Sequence, residues 1–199
     1  MKLIVISDPV YFADEANLLN QLFDAGLAIF HLRKPAAERQ ACAALLNAIA
    51  EPYHNRIALH QFHDLVAEFP AIKRLHYPER IRNEQLKNNS LPAIGDGFTL
   101  STSVHQLQAI DKLDRFDYTF YGPVFDSISK PGYVGLKDIN LPFAGQKYAT
   151  KIIALGGISA EKVTAIKQMN FDGLAVLGTL WNNKGQAIEK FRELNEKCR

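Results

Sequence analysis

Short apolar runs rich in β-branched and aromatic residues recur along the chain, each followed by a stretch of helical periodicity. The runs predict eight strands, at 2–7, 27–33, 56–60, 72–76, 97–101, 117–121, 151–155 and 173–177. Helices are predicted near 14–24, 36–50, 62–68, 79–87, 104–112, 139–147, 159–169 and 185–197. Leu3-Ile4-Val5-Ile6 and Ile152-Ile153-Ala154-Leu155 are apolar without alternation, which suits parallel strands covered on both faces. Regular alternation of strand and helix makes the chain α/β. Eight unbroken units favour a single (β/α)8 TIM barrel, with an open doubly wound sheet as the alternative topology. The 199 residues leave little room for insertions in such a barrel and predict one domain over 1–199.

Composition narrows the class. A formal charge of +2 and the absence of a basic run interleaved with aromatics argue against a nucleic-acid partner. A small anionic metabolite fits better. Cys42 and Cys198 show no metal or redox spacing and read as spare thiols in a reducing compartment. The first apolar run is too short for a signal peptide or membrane span, so the expected location is the cytoplasm, with no membrane partner. The sequence leaves the oligomeric state open; a homo-oligomer is compatible with it.

In a barrel, chemistry collects at the C-terminal ends of the strands. After strand six, Ser127, Ser129 and Lys130 offer two hydroxyls and an ammonium within four positions, and Gly132 permits close backbone approach. That is an anion grip, or else a polar surface loop. Gly156-Gly157 and Gly178 follow the last two strands, where small residues expose backbone N–H groups as a phosphate cup; tight turns are the plainer reading. Arg33 and Lys34 end strand two, and a guanidinium suits forked contact with phosphate or carboxylate oxygens. Ser103 with Gln106 forms a capping-box start, which would put His105 in the first helical turn as a neutral imidazole suited to general acid/base work. His31, His60, His63 and His76 match no compact ligand motif and are read as polar layers at the barrel mouth rather than as a metal site.

Taken together, His31-Leu32-Arg33-Lys34, Ser103-Val104-His105, the run YGPVFDSISKPGY from Tyr121 to Tyr133, ALGGI at 154–158 and AVLG at 175–178 resemble the thiamin phosphate synthase/TenI family. The resemblance runs in order over essentially the whole chain. It implies a (β/α)8 barrel acting on phosphorylated thiazole, with Ser127 and Ser129 holding the phosphate and Gly157, Leu177 and Gly178 supplying backbone contacts. It also implies that Arg33 and Lys130 meet a pyrimidine diphosphate in the synthase branch.

The chain departs from the synthase pattern in three places. Gln-x-Arg-x-Lys on strand two is here His31-x-Arg33-x-Pro35, so a second cation is missing unless Lys34 substitutes. The Asn-Asp after strand three, whose Asp is a magnesium ligand, is here His60-Gln61. After strand four only Glu79 is acidic, out of step with the expected ligand. These departures bring the chain closer to the TenI branch, a metal-free thiazole tautomerase whose catalytic histidine matches His105. No cofactor is then expected, Mg²⁺ belonging to the synthase reading alone. A binder or regulator without turnover, and another phosphosugar or indole-type barrel enzyme, are the remaining readings.

Overall fold

The computed structural model describes residues 1–88, 97–126 and 148–199. In chain order its elements are β1 (Lys2–Ile6), α1 (Glu15–Asp24), β2 (Ile29–Leu32), α2 (Arg39–Ala48), β3 (Ile57–Leu59), β4 (Arg74–Tyr77), α3 (Glu79–Lys87), β5 (Thr99–Val104), β6 (Tyr118–Tyr121), β7 (Lys151–Leu155), α4 (Val163–Gln168), β8 (Gly173–Val176), α5 (Gly178–Trp181) and α6 (Ala187–Cys198). All eight strands are parallel to their neighbours and close through β1 against β8. The molecule is a (β/α)8 TIM barrel, and the open sheet is excluded by that closure.

The strands divide their side chains between two cores because successive residues face opposite sides. On β1, Leu3 and Val5 enter the layer between barrel and helices, while Ile4 and Ile6 fill the interior with Ile29, Tyr118, Phe120, Ile153 and Ala175. Leu19, Leu22 and Phe23 form the buried stripe of α1, and Ala187, Phe191, Leu194 and Cys198 that of α6, at helical spacing.

Several connections differ from the helices that periodicity predicts. The segments predicted at 62–68 and 104–112 are 3₁₀ turns, His63–Ala67 and Leu107–Lys112, and the first turn of 159–169 is also 3₁₀, at Ala160–Lys162. The short α5 was not predicted, and the helix predicted at 139–147 lies outside the described residues. The capping-box reading of Ser103 is corrected as well. Ser103 pairs with Phe120 in the parallel ladder, so β5 continues through Val104 and His105 precedes the 3₁₀ turn instead of sitting in a helix.

Candidate active site

A cavity of about 720 Å³ opens at the C-terminal end of the barrel and draws its lining from the ends of β1, β2, β5, β6, β7 and β8 and the segments that follow them. Asp8, Arg33, His105, Gly156, Gly157, Leu177, Gly178, Thr179, Trp181 and Lys184 all border it. Of the residues singled out from the sequence, Arg33, His105, Gly157, Leu177 and Gly178 are therefore brought to one space. Ser127, Ser129 and Lys130 lie outside the described residues.

Backbone geometry explains the glycine loops. Gly156 and Gly157 have φ of 102° and 63°, a region that side-chain-bearing residues rarely adopt. A Cβ on Gly157 would stand 2.2 Å from the carbonyl oxygen of Asp126, so the chain leaving β6 passes directly against this loop. Val124 N–H donates to Leu155 O at 2.9 Å and Phe125 N–H to Gly156 O at 3.1 Å, fastening the two connections together. On the next loop the Thr179 hydroxyl donates to Ile158 O, and the Trp181 indole N–H donates to Ile6 O at 2.6 Å. Gly178 and Thr179 begin α5, where first-turn amides have no intrahelical acceptor.

Arg33 is held by its backbone. The Ser7 hydroxyl donates to Arg33 O at 2.8 Å and also lies 2.9 Å from Arg33 N, leaving the guanidinium at the cavity wall. Across the mouth, Lys184 Nζ meets Asp8 Oδ2 at 2.7 Å. Burial works against the Asp8 charge, but the bonds from Lys184 and from Val10 N–H outweigh it and hold the carboxyl below its usual range. Neither residue stands out in the sequence: Asp8 simply follows the first apolar run, and Lys184 follows an Asn-Asn pair without any periodic signal.

His105 has a partner that was not foreseen. Its Nδ1 lies 2.5 Å from Glu79 Oε2, and its side chain is 67% exposed. A carboxylate can only accept, so Nδ1 carries the proton, and in the neutral form of the ring Nε2 is the nitrogen with a lone pair. Glu79 Oε1 in turn lies 3.5 Å from Arg82 Nη2, and Arg82 is fixed by Thr102 Oγ1 at 3.0 Å and Ser103 O at 3.1 Å. The result is an imidazole oriented by an acid that is itself anchored to the strand.

Lys34 and the inner histidines lie elsewhere. Lys34 Nζ is fully buried and bonded to Glu15 Oε1 and Oε2 at 2.7 and 2.8 Å, with Val10 O at 3.1 Å and the Tyr11 ring beneath it. It does not stand in for a second mouth cation, because its charge is taken up behind the wall. His31 is sealed inside the barrel, with Nδ1 2.8 Å from His60 Nε2 and Nε2 2.7 Å from the Tyr118 hydroxyl. Ser103 likewise turns inward, its hydroxyl 3.3 Å from His76 Nε2.

The synthase reading carries a Mg²⁺ site that these residues do not fit. His60 bonds His31, and Gln61 is spent on both backbone groups of Lys34, accepting at 3.0 Å and donating at 2.8 Å. Glu79 is engaged by His105 and Arg82. A hard cation needs several oxygen ligands, and the positions after β3 and β4 offer it no free carboxylate pair.

A closed parallel barrel with a cavity at its C-terminal end, bordered by glycine loops after β7 and β8, places the chain in the class of TIM-barrel proteins, in which these loops frequently hold phosphate. Residues 3–180 match the family described as thiamine monophosphate synthase, TMP-TENI, and the chain belongs to that family of thiamin-biosynthesis enzymes. It is similar to thiamine phosphate pyrophosphorylase from Bacteroides thetaiotaomicron, at 28% identity over 99% of this chain and 97% of that one, with a TM-score of 0.80. The corresponding protein from Pyrococcus furiosus superposes with a TM-score of 0.76 at 16% identity, covering 99% and 95% of the two chains. A 3-hexulose-6-phosphate synthase shares the fold alone, with a TM-score of 0.71 at 14% identity over both whole chains. No curated protein sequence matches the chain significantly. Among the described residues no helix is long and apolar enough to cross a membrane.

Proposed function

We propose that the protein is a thiazole tautomerase that aromatises a thiazole carboxylate phosphate by proton transfer through His105. The observation that carries this reading is the Glu79–His105 pair at the rim of the cavity, set against the lack of a free carboxylate pair after β3 and β4. With Nδ1–H held by Glu79, Nε2 removes the ring proton and returns a proton to the exocyclic carbon, an isomerisation with no net loss of atoms. The phosphate sits on the amides around Gly157 and Gly178 together with Ser127 and Ser129, and Arg33 meets the carboxylate.

The decisive comparison runs two reactions side by side. Wild-type protein is expected to aromatise the thiazole carboxylate phosphate without added metal. His105→Ala loses that activity while retaining affinity for a phosphate analogue; full activity in the variant would falsify the assignment. The second reading, thiamin phosphate synthase, draws support from the naming of its 28%-identical relative as a thiamine phosphate pyrophosphorylase. It requires thiamin phosphate to form from pyrimidine diphosphate, thiazole phosphate and Mg²⁺, and absence of that product counts against it.

A further inference from the structure

Three imidazoles inside the barrel have no part in the chemistry at the mouth. His31 on β2, His60 just beyond β3 and His76 on β4 come from adjacent strands, face inward and are all buried. One ring nitrogen from each lies within 4.8 Å of the others. The Tyr118 hydroxyl holds His31 Nε2 at 2.7 Å, and serine hydroxyls reach both nitrogens of His76, Ser101 on Nδ1 at 3.0 Å and Ser103 on Nε2 at 3.3 Å. Metal-ligating histidines characteristically have their second nitrogen held in this way, which fixes the ring and its tautomer.

We propose that His31, His60 and His76 form a binding site for a transition-metal dication of the Zn²⁺ or Co²⁺ type. A tetrahedral site with bonds of about 2.1 Å sets its ligand nitrogens about 3.4 Å apart. The 2.8 Å between His31 Nδ1 and His60 Nε2 and the 4.8 Å outer limit bracket that spacing. Loading requires His76 to leave its stack on His60, where the ring centroids are 3.9 Å apart, and to exchange one of its two serine hydroxyls for the metal. Three nitrogen donors select borderline metals and reject Mg²⁺ or Ca²⁺, which favour oxygen.

All three rings are buried, and burial disfavours their charged forms. The nearest charges are unfavourable. Arg33 bears on His60 and His76, and Arg74 on His31. With no carboxylate among the three ligands, the expected affinity is roughly micromolar, far below that of thiolate sites.

Untagged, chelator-stripped protein is titrated with Co²⁺ alone. The expected result is one ion per chain with the visible absorption of a tetrahedral site and a rise in melting temperature. His60→Gln and His76→Gln should each abolish the absorption while the far-ultraviolet circular dichroism of the barrel is kept. Tyr118→Phe, which leaves all three ligands in place, should weaken binding about 10-fold. Absence of a tetrahedral spectrum at millimolar Co²⁺ in the wild-type protein overturns the proposal, as does binding unchanged in both glutamine variants. Should those variants fail to fold, unaltered binding in Tyr118→Phe overturns it.

Discussion

At the scale of single residues, the partner decides what a charged group can do. Lys34 and Arg33 are neighbours at the end of β2, yet one is locked to Glu15 and the other borders the cavity. Burial raises the Glu15 pKa despite its cation, as expected where desolvation offsets much of the Coulombic gain. Lys34→Met should therefore cost about 3–5 kcal/mol by leaving a buried carboxylate unpaired, whereas Lys34→Met combined with Glu15→Leu should recover most of that. Urea denaturation of the two variants provides the check. Glu79 is a positioning residue on the proposed reading. Glu79→Gln should lower kcat by about 10- to 100-fold with little change in KM, because it touches the base and not the substrate. A rise in KM at unchanged kcat would assign Glu79 to binding instead.

At the scale of elements, the contact between the connection after β6 and the loop after β7 shapes the floor of the site. Gly122 and Gly157 permit it, since a Cβ on Gly122 would lie 2.1 Å from Leu155 O and one on Gly157 2.2 Å from Asp126 O. Gly157→Ala adds that overlap to a left-handed backbone, so it should destabilise the fold by about 1–3 kcal/mol and weaken binding of phosphate analogues. Calorimetry with and without inorganic phosphate measures both effects. All eight strands were legible as elements, though not in every boundary, from their apolar runs, because each lies in a covered sheet. The helices were less so. Between β3 and β4 and between β5 and β6 the chain makes only 3₁₀ turns, and β5 outlasts its predicted end because ladder pairing with β6 overrides the capping preference of Ser103.

At the scale of the whole molecule, the barrel interior carries a pH dependence. In metal-free protein His31, His60 and His76 have folded pKa values below the 6.5 of the unfolded chain. Above pH 6.5 neither state binds their protons and stability is unaffected; below it the unfolded chain takes up protons that the barrel refuses. Stability should then fall progressively as pH drops from 6.5 toward the folded values, about 3 for His31, as the unfolded chain gains protons that the barrel does not. Urea melts in chelator between pH 7 and pH 4 are the test. A flat profile would mean that the imidazoles admit protons or water in the native state.

The amino-acid order alone determined the strand and glycine pattern, hence the barrel, the family and the gathering of Arg33, His105, Gly157, Leu177 and Gly178 at one cavity. Those signals are local, arising from the two-residue period of a strand and the special backbone freedom of glycine. Pairing across the barrel was decided only in three dimensions. Lys34 with Glu15, His105 with Glu79, and the trio of His31, His60 and His76 are joined across 16 to 45 positions by closure and register, which no short window of sequence contains.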